Sequence, residues 1–166
     1  MFLDLAKAFD KVPHNRLLFK LRNHGIDGKV LNWIEQWLKG RAQTVGIRVE
    51  LSKWLEVLSG VPQGSVLGPL LFLVYINDLD VNISNWILKF ADDTKIFSQI
   101  RDDKDGERLQ EDLQKLCQWS EEWKMLFNVS KCKVMHIGRP LEQNSYFMNN
   151  RHLKCTDMEK DLGFVI

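Results

Sequence analysis

Asp92 and Asp93 stand side by side between two apolar stretches, Trp86-Ile87-Leu88 with Phe90 before them and Ile96-Phe97 after. Strand-forming residues around a short polar break predict a tight hairpin, with both acids at its tip and a buried base to hold them. Adjacent carboxylates repel and are costly to dehydrate, so a fold that presents them together needs a counter-charge. Magnesium meets that need, because it takes hard oxygen ligands and keeps water and substrate phosphate in its shell. Taken alone, the stretch reads more simply as a solvated turn, since Asp is a common turn residue. A third acid changes the balance. Asp4 lies near the end of the apolar residues 1–5, which read as a short strand. If that strand and the hairpin are neighbours in one sheet, three carboxylates converge. Two ions about 3.5–4 Å apart could then clamp the attacking and leaving oxygens of a phosphoryl transfer and spread the charge that builds on phosphorus.

The elements that must position these acids are legible from periodicity and turn chemistry. Residues 6–10 form a turn into a helical region, with Pro13 suited to a first helical position. Leu17, Leu18, Leu21 and His24 make one helical face, which Gly25 ends. Asp27 is placed to cap a second helix carrying Val30, Leu31, Ile34, Trp37 and Leu38, with Gly40 past its end. Residues 43–49 and 54–58 are predicted to pair as a hairpin through a polar break at 50–53. Residues 60–65 are a loop by composition, feeding an apolar helix at 66–79 with Gly68-Pro69 in its first turn. Residues 104–123 form an amphipathic helix with Leu109, Leu113, Leu116, Ser120 and Trp123 on one stripe. A strand at 133–137, a hairpin turning at Asn149-Asn150 and a last strand at 162–166 complete the chain. Trp33, Trp37, Trp119 and Trp123 read as packing residues, and Asp10 as a helix cap. The pattern is one α+β unit, an antiparallel sheet covered by helices.

Composition bounds the function without naming it. A chain of 166 residues with 45% hydrophobic and 27% charged residues can bury a sizeable core. Its formal charge of +1 carries no overall basic bias, although residues 1–50 are locally basic and 101–122 mainly acidic. Cys117, Cys132 and Cys155 are widely spaced with no Cys-x-x-Cys pair, which speaks against zinc and against a disulfide framework. The longest apolar run falls well short of the ~20 residues of a membrane helix, and no signal-peptide pattern opens the chain. The expected compartment is cytoplasmic or nuclear.

The ordered motifs carry a resemblance. Phe2-Leu3-Asp4-Leu5-Ala6-Lys7-Ala8-Phe9-Asp10, then residues 60–69 (Gly-Val-Pro-Gln-Gly-Ser-Val-Leu-Gly-Pro), then Phe90-Ala91-Asp92-Asp93 resemble reverse-transcriptase palm motifs in their expected order. Phe127-Asn128-Val129-Ser130-Lys131 and Asp161-Leu162-Gly163 look like the two motifs that should follow. The wording is similar to non-LTR (LINE-type, jockey-like) retrotransposon polymerases over essentially the whole chain. The resemblance implies one palm domain over 1–166, truncated at both ends, in a partial right-hand polymerase fold lacking most of the fingers and thumb. It implies two magnesium ions, with manganese the alternative, and as partners an RNA template, a DNA primer and deoxynucleoside triphosphates, with no membrane. Asp4 and Asp92 become the principal metal ligands and Asp93 a closer-range electrostatic partner. The amides of Lys7 and Ala8 are assigned to the incoming triphosphate, and Gln63 and Gly64 to the nucleotide and template. Phe9 falls at the steric-gate position, where a bulky ring would clash with a ribose 2′-OH. Lys131 could protonate or neutralise the leaving pyrophosphate, with Lys133 its rival. Without flanking basic surfaces, template binding should be weak, because phosphate contacts supply much of nucleic-acid affinity. A catalytically silent retrotransposon-derived remnant therefore stands as the alternative. A nucleotide cyclase is disfavoured, since Pro62-Gln63-Gly64 and Phe9 would then have no role.

Overall fold

The chain starts on strand β1 (Phe2–Leu3) and leaves it for helices α1 (Ala8–Lys11), α2 (His14–Asn23) and α3 (Gly28–Leu38). Short strands β2 (Ala42–Gln43), β3 (Gly46–Ile47), β4 (Glu50–Leu51) and β5 (Leu55–Glu56) precede helix α4 (Leu67–Ile76). Next come β6 (Trp86–Phe90), β7 (Asp93–Phe97), the long helix α5 (Asp103–Trp123) and β8 (Lys133–Val134). The last strands are β9 (Phe147–Met148), β10 (Arg151–His152), β11 (Lys154–Cys155), β12 (Lys160–Asp161) and β13 (Phe164–Val165). This computed structural model describes residues 1–138, 144–161 and 163–165. Leu162 and Ile166, at the ends of the expected last strand, lie outside the described residues. Within the single region expected over 1–166, two units separate: Met1–Ala6 with Asp78–Ile166, and Lys7–Asn77.

The first unit is built on a five-stranded sheet of order β11-β8-β1-β7-β6, antiparallel except where β11 runs beside β8. Period-2 alternation divides its faces. Leu3, Leu5, Thr94, Ile96 and Val134 are buried on one face, while Phe2, Asp4, Asp93, Lys95 and Phe97 belong to the other. Helix α5 contributes Leu109, Leu113 and Leu116 to the same core. Its start is set by Asp102, whose carboxylate accepts the Asp105 amide at 3.0 Å. At its end Lys124 turns left-handed (φ 56°), and the Met125 amide reaches back to the Ser120 carbonyl at 3.0 Å. The Asn149-Asn150 turn forms as expected, with φ of 49° and 59° between β9 and β10.

The second unit packs α2 against α3 and α4. Leu17, Leu18, Leu21, Leu31, Ile34 and Leu38 are buried at the expected helical spacing. Four expectations need correction. His24 caps α2 from the surface, its ring bonded to the Lys20 carbonyl at 2.8 Å, and does not join the apolar face. Lys20 is buried in its place and donates to the Tyr75 carbonyl at 2.6 Å, in the last turn of α4, where a cation complements the helix dipole. Asp10 sits inside α1 and is not a cap. Trp33 lies 58% exposed, stacked on Trp37 at 6.3 Å. The strands at 42–56 do pair, β2 with β5 and β3 with β4. Their inner turn falls at Arg48-Val49, where Arg48 has φ 57°, earlier than the polar residues predicted. Among the described residues no helix is long and apolar enough to cross a membrane.

One buried acid holds the entry to the hairpin. Asp112 on α5 is fully buried and accepts the amides of Ser84 and Asn85 at 2.8 Å, the Asn85 side chain at 2.9 Å and Lys115 at 2.8 Å. Burial alone would push its carboxyl up. The bonds from Lys115, Asn85 and Ser84 together outweigh burial and hold it below the ordinary value of 3.8. Asp112→Ala should lower unfolding free energy by about 3–5 kcal/mol in urea titrations at pH 7, because it orphans several buried donors. The folded carboxyl titrates below the unfolded one. Its contribution is therefore complete above the unfolded value and is lost as pH falls through the folded one. The deficit of the variant should shrink accordingly in acid.

Candidate functional site

β1 lies between β7 and β8, so Asp4 is approached from both sides. Phe2 pairs with Lys95 and Leu3 with Thr94. Asp4 and Asp93 follow the last paired residues on the two strands and line one cleft. Asp93 is itself opposite Phe90 in the β6–β7 hairpin. Ala91 and Asp92 make the turn, with Ala91 at φ 52°. The two-residue turn removes Asp92 from the ladder. Asp93 lines the cleft with Asp4. The base of the hairpin is buried only on the Thr94 and Ile96 side. Trp86, Leu88 and Phe90 are exposed, so the buried base expected from the sequence is half a base.

The other wall of β1 comes from residues 126–132. Ala6 donates its amide to the Leu126 carbonyl at 2.8 Å, Leu5 bridges Phe127, and the Asn128 amide donates to the Asp4 carbonyl at 2.7 Å. The Asn128 carbonyl then accepts the amides of Lys131 and Cys132, which closes a tight turn. That turn brings the Lys131 ammonium to 3.5 Å from the Asp4 carboxylate. The Asp4 amide faces the Cys132 sulfur at 3.4 Å. Burial pushes the Cys132 thiol up to about 11, so it is a neutral packing group beneath Asp4.

Asp4, Asp93, Lys95, Lys131, Lys133 and Asp161 line one cleft of about 290 Å³. Two of its lysines are already engaged, Lys95 by Asp161 and Lys133 by Glu159 at 2.6 Å. Lys131 is the more exposed, at 66%, and its ion pair is the longest of the three. Asp93 carries the strain of the arrangement. Desolvation raises its carboxyl above the ordinary value, the Asp92 charge raises it further, and Asp161 and Asp4 add to that against the opposing Lys95. Asp161 and Lys95 were missed as site residues. Asp161 lay within a recognised motif, while Lys95 carried no signal beyond its position two residues past Asp93.

Within the second unit, Phe9 is half-buried and stacks on Phe72 with centroids 4.6 Å apart. Lys7 takes a left-handed backbone (φ 53°) at the start of α1. The loop that carries Gln63 and Gly64 is stapled to α1. Gly60 donates to the Val12 carbonyl and Val61 to the Phe9 carbonyl, both at 2.8 Å, and Ser59 donates to the Asp10 carbonyl at 2.8 Å. Gly60 has φ 88°, and a Cβ there would stand 2.7 Å from the Asp10 backbone, so only glycine fits. Gln63 and Gly64 are exposed beyond that staple. Two residues before α4, Ser65 accepts the Gly68 amide at 2.9 Å.

The acids of the cleft suit a divalent cation, although among the described residues no three His, Cys, Asp or Glu form a ready cage. Asp4 and Asp93 offer oxygens to one cleft, and burial, then the neighbouring Asp92 charge, raises the Asp93 carboxyl. Magnesium uses such partial sets, completing its shell with water and phosphate.

Comparison with known proteins agrees with this reading of the motifs. The family model for reverse transcriptase (RNA-dependent DNA polymerase) matches residues 1–162, and the chain belongs to that family. Its likeness within the family is to non-LTR retrotransposon polymerases. It is 32% identical to the probable RNA-directed DNA polymerase from transposon X-element of Drosophila melanogaster, over 79% of this chain and 15% of that protein. It is 29% identical to the RNA-directed DNA polymerase from mobile element jockey of the same species, over 99% of this chain and 19% of that protein. A Pol polyprotein from the R2 element of Popillia japonica is 25% identical over 92% of the chain. The chain spans less than a fifth of the first two relatives.

Asp93→Asn removes a like charge from beside Asp4 and Asp92. In metal-free buffer its thermal midpoint should exceed that of the parent chain at pH 7. The folded carboxyl is raised, so its destabilising charge appears as pH climbs through the folded value and is absent below the unfolded one. The advantage should therefore vanish near pH 3 in the same melting experiment.

Proposed function

We propose that this chain is the palm of an RNA-directed DNA polymerase, transferring deoxynucleotides to a primer 3′-OH on an RNA template. The observation that carries the reading is the cleft that Asp4 and Asp93 line together at the ends of paired strands, with Lys131 at its margin. On this reading Asp4 and Asp92 are the principal ligands of magnesium, with Asp93 a closer-range electrostatic partner in the same cleft. The ions, when bound, supply a lowered pKa for the primer hydroxyl and charge stabilisation at phosphorus.

The remaining roles belong to the chain's own groups. Lys131, exposed and loosely paired, has the freedom to move toward a departing pyrophosphate and neutralise it. Phe9, backed by the Phe72 ring, is rigid enough to act as a steric gate against a 2′-OH. The family pattern gives the Lys7 and Ala8 amides to the triphosphate, and the exposed Gln63-Gly64 pair to the nucleotide and template. Glutamine offers both donor and acceptor there, and glycine permits close approach.

Primer extension on an RNA template with magnesium and deoxynucleotides tests the proposal. Asp4→Asn and Asp92→Ala should each lower extension by roughly 100-fold or more, since they remove charge that acts on the transition state. No extension by the parent chain, or extension that the substitutions leave unchanged, removes polymerase activity from this chain and leaves the silent-remnant reading. In the same assay Phe9→Val should raise ribonucleotide incorporation relative to deoxynucleotide by about 10-fold or more. An unchanged ratio would return Phe9 to a packing role.

A further inference from the structure

Phe2 of β1 has a lysine on each side of it in the sheet, Lys95 on β7 and Lys133 on β8. Both lysines are held from one short stretch of chain, Lys95 by Asp161 and Lys133 by Glu159 at 2.6 Å. Lys160, between the two acids, is exposed. The acids themselves are sheltered, Asp161 at 16% exposed and Glu159 at 21%, so salt screens these pairs less than surface ones. The Glu159 Oε2 is buried and makes no hydrogen bond, so its link to Lys133 is ionic.

What these lysines are kept from is the acid pair of the cleft. Lys95 and Asp93 are two residues apart on β7 and therefore share a face of the sheet. Burial and the Asp92 charge raise the Asp93 carboxyl, and the Lys95 charge draws it back, so the ammonium is already felt there. Lys133 lines the same cleft as Asp4. Asp4 has the Lys131 ammonium at 3.5 Å, exposed and loosely held. Further ammonium groups on these carboxylates would satisfy them in place of a divalent ion. An arriving cation would then have to displace them.

We propose that Asp161 and Glu159 are positioning residues that hold the Lys95 and Lys133 ammonium groups off Asp93 and Asp4, leaving the cleft open to a divalent cation. The inference deepens the polymerase reading, on which the need for that cation rests. Each acid acts through its lysine. A fixed partner on the far side removes what the lysine would gain by turning toward the cleft. Asp161 has the larger effect of the two, because its lysine stands on the same strand as Asp93.

The test titrates the chain with Mn2+ at pH 7 without nucleic acid, following paramagnetic broadening of the Leu3, Thr94 and Lys95 amide signals by NMR. Asp161→Asn should weaken binding by about 10-fold. Adding Lys95→Gln should bring affinity back to within about 3-fold of the parent chain. Adding Lys160→Gln instead returns the same net charge but frees no acid, and should not rescue. No broadening at the cleft of the parent chain overturns the proposal, as does equal affinity of parent and Asp161→Asn. Equal rescue by Lys160→Gln reduces the effect to net charge, and no rescue by Lys95→Gln reduces Asp161 to a structural support; either result overturns it. Amide dispersion in the same spectra reports folding. If Asp161→Asn does not fold, Glu159→Gln with and without Lys133→Gln makes the same comparison, and the same outcomes decide. Primer extension separates this inference from the reading beneath it. A chain with the expected Mn2+ pattern that extends no primer loses the polymerase reading and keeps the lysine restraint, and a chain that extends primers without the pattern does the reverse.

Discussion

Two carboxylates brought into one cleft at the end of a β-ladder are the constraint on which the rest of this molecule depends. Backbone pairing of β1 with β7 fixes Phe2 against Lys95 and Leu3 against Thr94, and so brings Asp4 and Asp93 to one cleft whatever their charges prefer. Burial raises the Asp93 carboxyl first, and the charges of Asp92, Asp161 and Asp4 add to that against Lys95. Water could relieve such a pair if the strands frayed. They are kept from fraying by everything packed behind them: Leu3, Leu5 and Ile96, each almost wholly buried.

The supports of that rung are largely polar. Residues 126–132 lace the second edge of β1 through backbone bonds at Ala6, Leu5 and Asp4, and the turn they form carries Lys131 to the acid. Asp112 collects four hydrogen bonds at the root of the hairpin, so a buried charge far from the cleft sets where the hairpin begins. Both are cases in which a satisfied polar network specifies geometry that apolar packing alone would leave adjustable. The exposed side of the sheet is the counterpart. Trp86, Leu88 and Phe90 leave apolar surface beside the acids.

Periodicity revealed most of the helices because burial of a stripe is a local pattern. Residues Leu17, Leu18 and Leu21, and Leu109, Leu113 and Leu116, are buried as their spacing required. The same logic misplaced His24 and overlooked Lys20. A lysine enters a core only when a particular carbonyl, here that of Tyr75, is waiting at the end of another helix. The hairpin at 42–56 turned earlier than its polar residues implied, because Arg48 accepts a left-handed backbone there. Asp161 escaped notice as a site residue for a similar reason. Its importance comes from Lys95 and Asp93, some sixty-five residues away in sequence.

By itself the sequence determined the residue types and their order: a lone acid after an apolar run, a glycine-rich loop before an apolar helix, and a pair of acids in a hairpin. These are local properties, carried by turn propensity, alternation and motif spacing. Only the tertiary structure decided which acid of the pair lines a cleft with Asp4, which lysines are tied to carboxylates and which is loosely held. Those depend on register, and in a sheet a slip of one residue exchanges the two faces. No local stretch of the chain contains that information, because it is set by hydrogen bonds between segments that meet only after folding.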